Sequence, residues 1–213
     1  MSVSLGGETF TNGNFHSYCD ELAAAHRVFQ QIITAHGYPP FWSREPNFES
    51  LVHIILEQQV SLASALAAFK KLKQTLHEIT PASFLQLTDD DLKSCYFSRQ
   101  KIIYTRHLAA CIIDGGIELR KIHTLDNATI SSTLQQVKGI GEWTANIFLM
   151  MALHRMDIFP INDIALVSSM KDQLALEKNT SKEELLAFTV QWKPYRTIAA
   201  YLLWHAYLSK RKK

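Results

Sequence analysis

The chain has 213 residues, 47% of them hydrophobic, with only 8 glycines and 6 prolines and a formal net charge of +2. That composition gives a globular core in one compact domain or two small lobes, and the scarcity of turn residues favours long helices joined by short loops. No apolar run approaches the roughly 20 residues that span a bilayer, the N-terminus lacks a signal-peptide layout, and Cys19, Cys95 and Cys111 fit neither a disulfide framework nor a zinc or iron–sulfur spacing.

The expectation is an intracellular protein in a reducing compartment, in the cytoplasm or nucleoid of a bacterium or the nucleus of a eukaryote, with no membrane partner. Net charge by itself does not announce nucleic acid. Asp89-Asp90-Asp91 offsets the Lys70, Lys71 and Lys73 cluster, and the Lys210-Arg211-Lys212-Lys213 tail reads as a solvated basic end that could touch phosphate.

Residues 1–15 read as a loosely ordered lead-in with a short extended piece. Apolar positions at Leu22, Ala23, Val28, Phe29, Ile32 and Ile33 predict one helix over Tyr18–His36, stopped by Gly37. Pro39-Pro40-Phe41-Trp42 is an extended aromatic loop. Phe48–Leu56 reads as a buried helix interrupted at Glu57-Gln58-Gln59-Val60, and Ser61 caps the next one through Leu62, Leu66 and Phe69. Pro81–Leu87 and Asp89–Cys95 are short helices, the second begun by Thr88, and Arg99–Gly115 ends at paired glycines. Helices over Ser131–Gln136 and Glu142–His154 flank Gly139-Ile140-Gly141. After extended Ile158-Phe159-Pro160 come Asp163–Leu174, Ser181–Val190 and Arg196–Ser209. No period-2 segment is long enough for a sheet, so the fold class is all-α.

The most informative stretch is Val137-Lys138-Gly139-Ile140-Gly141-Glu142-Trp143-Thr144-Ala145. Two glycines around one apolar residue make a tight hairpin whose backbone permits positive φ and close approach. The following helix adds a positive N-terminal dipole, so the turn can hold a phosphate without a charged side chain. An ordinary connection between two helices is the alternative that this stretch alone leaves open.

In this setting the chain resembles the helix–hairpin–helix (HhH-GPD) DNA glycosylase superfamily, in its 3-methyladenine DNA glycosylase II branch. The hairpin is followed by Asp157-Ile158-Phe159-Pro160-Ile161-Asn162-Asp163, Gln58-Gln59-Val60-Ser61 is similar to a Q-Q-x-S element, and Tyr96 to Lys101 to an aromatic-x-x-x-K helix start. Trp192-Lys193-Pro194-Tyr195-Arg196 with Trp204 resembles the family's C-terminal element. The resemblance implies two helical lobes with an active-site cleft between them: about 1–48 plus 157–213, and about 49–156 carrying the hairpin at 131–154, without the branch's N-terminal β domain.

It further implies base excision repair by a monomer acting on double-stranded DNA with damaged bases, flipped out before hydrolysis. Asp163 is the expected catalytic carboxylate. Glycosidic cleavage builds positive charge on the sugar, and an opposite unit charge about 4 Å away at an effective dielectric of ~20 is worth roughly 4 kcal/mol. Asp163 is equally a good helix N-cap unless Asn162 takes that role. A base alkylated in the 3-methyladenine or 7-methylguanine manner is already cationic, so one carboxylate suffices and an electron-rich pocket would select it. Trp143 and Trp204 are the candidates, with Phe41, Trp42 and Tyr195 behind them; aromatic residues at helical spacing are otherwise core.

Gln59 is the expected plug for the vacated stack, with Gln58 and Ser61 beside it on the DNA or turned to helix caps. Lys138, Gly139, Ile140, Gly141 and Thr144 complete the expected DNA contact. No cofactor is required. A Na+ or K+ ion on the carbonyls of Gln135, Val137 and Ile140 follows from the resemblance alone, and the four-cysteine iron–sulfur cluster of some relatives has no counterpart. The rival readings are a bifunctional glycosylase/lyase, disfavoured because Trp143 stands where such members carry a lysine, and a non-catalytic DNA-binding module, which needs neither Asp163 nor the aromatic groups.

Overall fold

The computed structural model describes residues 8–211. The start of the expected lead-in, 1–7, and Lys212 and Lys213 of the basic tail lie outside the described residues. Twelve α-helices run through them in chain order: α1 (Phe15–Ala25), α2 (Arg27–His36), α3 (Phe48–Glu57), α4 (Leu62–Thr75), α5 (Pro81–Gln86), α6 (Asp89–Ser94), α7 (Arg99–Ile113), α8 (Asn127–Gln135), α9 (Glu142–Met151), α10 (Ile164–Gln173), α11 (Lys182–Thr189) and α12 (Arg196–Lys210). Single 3-10 turns lie at Ile122–Thr124 and Val190–Trp192. The described residues contain no strand, only an antiparallel bridge between Thr9 and Arg155, and no helix long and apolar enough to cross a membrane.

The chain divides into two compact units. The first, Arg44–Leu153, holds α3 to α9. Its α3 packs against α4, α7 and α9, and burial of Leu51, Val52, Ile54, Ile55 and Leu56 on nearly every side explains why that segment lacks a polar face. The second unit joins 8–43 to 154–211 and holds α1, α2 and α10 to α12. It is organised on α12, which packs against α1, α2 and α10 and is buried through Thr197–Trp204. The chain passes between units at 43/44 and 153/154, against the expected 48/49 and 156/157.

Helix starts follow their local chemistry. The Ser61, Thr88 and Ser181 side chains each accept the N–H three residues on, and Thr88 and Ser181 form reciprocal capping boxes with Asp91 and Glu184. The expected helix over Tyr18–His36 is two helices, because His26 is extended (φ −138°, ψ 109°). With neither glycine nor proline there, the break is tertiary: it lets α1 bury Phe15, Cys19 and Leu22 and α2 bury Phe29 and Ile32, both packing on α12. α8 begins at Asn127, four residues ahead of the expected start at Ser131, since Asp126 caps it through the Ala128 and Thr129 N–H groups, both at 3.0 Å.

Candidate active site and nucleic-acid interface

In the second unit, loop 155–163 is tied to the start of α12. Arg196 grips Asp157 with two nitrogens, Nε on Oδ1 at 2.6 Å and Nη2 on Oδ2 at 2.9 Å. The Thr197 hydroxyl donates to the Arg155 carbonyl at 2.5 Å and accepts the Ile158 N–H at 3.1 Å. The loop therefore delivers Asp163 from a fixed base. Its N–H donates to the Pro160 carbonyl at 2.8 Å, and its Oδ1 accepts the Leu166 N–H at 2.7 Å and the Trp204 indole Nε1–H at 3.0 Å. Asp163 thus takes the N-cap of α10 itself, correcting the alternative in which Asn162 caps; the Asn162 Oδ1 instead accepts from Lys182 Nζ at 2.6 Å. Asp163 also lines a concavity of about 960 Å3 formed by α10, α11 and their connecting loops.

Trp204 is 9% exposed. Trp42 meets it edge-on with centroids 6.4 Å apart, Tyr201 lies 6.1 Å away, and the Tyr201 hydroxyl donates to the Trp42 carbonyl at 2.7 Å. Trp42, Tyr201 and Trp204 thus form one cluster ending on the carboxylate. Phe41 belongs to a neighbouring group, stacked on His154 at 5.0 Å and edge-on to Phe10 and Phe15. Tyr195 turns elsewhere: its hydroxyl donates to Glu21 Oε2 at 2.6 Å and its ring lies on Tyr18. The hydrogen bond to that carboxylate is the main reason its phenol is pushed up to about 12. Of the five aromatic candidates, Trp204 donates to Asp163 within the second unit, while Trp143 lies in the first, half-buried in the opening turn of α9.

In the first unit the hairpin is braced from behind. Gly139 has φ +89°, and a Cβ there would sit 2.1 Å from the Tyr104 ring, so glycine is demanded twice over. His107 Nδ1 accepts the Lys138 N–H at 2.9 Å, which takes that amide out of the set available to a phosphate, while the Lys138 side chain is exposed. Gly141 is extended, and a Cβ there would meet nothing within 4 Å. Ile140 is buried at 4% exposure, and its N–H closes the turn on the Val137 carbonyl at 3.0 Å.

Gln58 and Gln59 part company at the end of α3. Gln58 reaches back into the hairpin, its Nε2 donating to the Gly139 carbonyl at 2.8 Å and to the Thr144 hydroxyl at 2.9 Å. Thr144, 2% exposed, is therefore a buried brace of the hairpin. Gln59 is exposed and left-handed, φ +57°. Lys101 Nζ donates to the Leu56 carbonyl at 2.5 Å and so ends α3; burial lowers its ammonium from the usual lysine range. The Ser61 hydroxyl is spent on capping α4 through the Ser64 N–H at 3.2 Å.

Sequence reasoning gave no role to Lys101, Tyr104, His107 or Lys182. Lys101 stands out only within the aromatic-x-x-x-K pattern, and the other three carry no local signal. Among the described residues no group of three or more His, Cys, Asp or Glu side chains could hold a metal ion.

Comparison with known proteins gives the family. Residues 52–194 match the family described as HhH-GPD superfamily base excision DNA repair protein. DNA-3-methyladenine glycosylase 1 of Schizosaccharomyces pombe is 29% identical over 165 residues, 76% of this chain and 72% of that protein. DNA-3-methyladenine glycosylase of Bacillus subtilis is 28% identical over 169 residues, 74% of this chain, which spans 56% of that longer protein. The solved structure of S. pombe 3-methyladenine DNA glycosylase in complex with abasic DNA superposes with a TM-score of 0.80 at 26% identity, covering 88% of this chain and 95% of that one.

Proposed function

Because the chain belongs to the HhH-GPD superfamily of base excision DNA repair proteins, we propose that it is a monofunctional DNA glycosylase that hydrolyses the N-glycosidic bond of flipped, alkylated bases of the 3-methyladenine and 7-methylguanine type. The observation that carries this reading is the fixing of one Asp163 oxygen by two donors, the Leu166 N–H and the Trp204 indole N–H. A carboxylate held in one rotamer is preorganised to face the positive charge that develops at the sugar as the base departs. The same group can orient the attacking water. A cationic alkylated base leaves without a general acid, so one carboxylate is enough chemistry.

Water serves as the nucleophile, because Trp143 occupies the place where the bifunctional members of the resemblance carry a lysine. Gln59 is the group that fills the vacated stack: its left-handed backbone turns it outward while Gln58 is anchored inward. Gly139 and Gly141 bring backbone close to a phosphate. The donor chemistry of the hairpin fits a Na+ or K+ ion, since Gln135, Val137 and Ile140 offer neutral carbonyl oxygens and the Val137 oxygen, already accepting one N–H, keeps a second lone pair. Such an ion would lend positive charge to a bound phosphate. The protein works as a monomer with no other cofactor.

The test is incubation with methylated duplex DNA, followed by assays for released base and for strand breaks with and without alkali. Released base with alkali-dependent breaks supports the proposal. Breaks without alkali support a lyase, and neither product supports a DNA-binding protein without catalysis.

A further inference from the structure

The concavity beside Asp163 has an electrostatic character that the excision chemistry does not use. Lys171, Lys178 and Lys182 enter its lining against two carboxylates, Asp163 and Asp172. Asp172 is already paired with Lys210. The three lysines have no carboxylate partner among the described residues, and two of them are held by neutral oxygens: Lys171 Nζ donates to the Lys178 carbonyl at 2.7 Å, and Lys182 Nζ to Asn162 Oδ1 at 2.6 Å. Glu177 and Glu183 are near in sequence but lie outside the lining.

A cation oriented by a neutral acceptor keeps its full charge, whereas one in an ion pair is largely cancelled. Lys182 is moored on the residue before Asp163, and both side chains line the same concavity. A carboxylate that must approach a deoxyribose also approaches the phosphates on either side of that sugar, and like charges there repel. Fixed ammonium groups next to it offset that repulsion. From this juxtaposition we propose that Lys171, Lys178 and Lys182 form a seat for a backbone phosphodiester of the damaged strand. The assignment rests on Asp163 being the reacting carboxylate, and it adds a strand-binding site in the second unit, apart from the hairpin of the first.

The experiment compares binding of a duplex containing an abasic site by the unaltered chain and by the Lys178→Ala/Lys182→Ala double variant, by fluorescence anisotropy between about 50 and 200 mM salt. Each lost phosphate contact lowers the slope of log affinity against log salt by about 0.9 and weakens binding near 0.1 M salt on the order of tenfold. Lys178→Arg/Lys182→Arg keeps the slope. The charge-matched Lys93→Ala/Lys121→Ala control, whose ammonium groups are already paired with Asp90 at 2.9 Å and Glu118 at 2.8 Å, also keeps it. An unchanged slope in the first variant, an equal loss in the control, or no salt-dependent binding by the unaltered chain overturns the seat. Base release from methylated DNA, measured on the same proteins, reports the excision reading separately: full binding with no release defeats that reading and with it the assignment of the seat to the damaged strand, whereas release with an unchanged slope defeats the seat alone.

Discussion

Replacing Asp163 by asparagine isolates charge from structure. Asparagine caps helices as well as aspartate does, and its amide oxygen can still accept the Leu166 N–H and the Trp204 indole N–H that Oδ1 accepts at 2.7 and 3.0 Å. The fold, the cap and the side-chain direction are therefore kept while the negative charge is lost. At a separation of about 4 Å and an effective dielectric of ~20, that charge lowers the energy of a sugar cation by roughly 4 kcal/mol, which corresponds to about a thousandfold in rate. Single-turnover release of base from methylated duplex measures the loss, with thermal unfolding and abasic-DNA binding as checks that nothing else has moved. Asp163→Ala is a poorer experiment, because it also removes the cap, at about 1 kcal/mol, and leaves the indole N–H without this acceptor. A rate for Asp163→Asn within tenfold of the unaltered chain would refute the electrostatic role.

The two hairpin glycines should separate cleanly. Gly139→Ala, at φ +89° and against the Tyr104 ring, lowers the unfolding midpoint by on the order of 10 °C, whereas Gly141→Ala, with open space at its Cβ, leaves the midpoint within about 2 °C and weakens DNA binding. Gln58→Leu strips the Gly139 carbonyl and the buried Thr144 hydroxyl of a donor and costs about 1–3 kcal/mol in urea unfolding. Gln59→Ala changes stability by less than about 0.5 kcal/mol and slows excision from a fully paired duplex more than from a mismatched one. Burial is the main cause lowering His53 below the usual histidine value, outweighing the nearby Glu57. The unfolded chain then binds the extra proton, so stability falls as pH drops through about 6.5 towards the lowered folded value. Chemical denaturation at pH 7.5 and 5 should show that fall in the unaltered chain and a smaller one in His53→Leu.

What the sequence made legible was local. Thr88, Ser61 and Ser181 announce helix starts because a capping hydroxyl and the N–H it accepts lie three residues apart. Gly115, at φ +77°, ends α7 for a reason equally close at hand. Asp163 stands out only through the family resemblance, by its place after the hairpin; from its own residues it reads as a helix cap. The braces were invisible because each joins residues far apart in the chain: Gln58 and Gly139 are separated by 81 positions, Lys101 and Leu56 by 45, Lys138 and His107 by 31. Nothing in a glutamine or a histidine says which distant backbone group it will meet. His26 belongs with them, since packing on α12 breaks a helix that its own residues would continue. The aromatic residues were ambiguous for another reason. Core and pocket demand the same side chains, so type and spacing could not sort Phe41 and Tyr195 from Trp204.

Trp204 is where those two readings give opposite results. Sequence reasoning makes it a stacking surface for a cationic base, a role in which phenylalanine keeps much of the attraction because the ring face survives. The structure gives it an indole N–H on Asp163 Oδ1 at 3.0 Å with Trp42 and Tyr201 packed against its ring. In that role phenylalanine keeps the packing and loses the donor, removing one charge-assisted hydrogen bond of about 1.5–3 kcal/mol from the carboxylate. Asp163 Oδ1 then keeps the Leu166 N–H and loses the indole donor, and the cost falls on the orientation of the carboxylate proposed to react. Trp204→Phe should therefore lower kcat on the order of tenfold to a hundredfold, leave KM nearly unchanged, and slow cationic and neutral lesions alike. A selective loss on cationic bases, carried by KM, would return Trp204 to the pocket wall and leave the anchoring of Asp163 to its own helix.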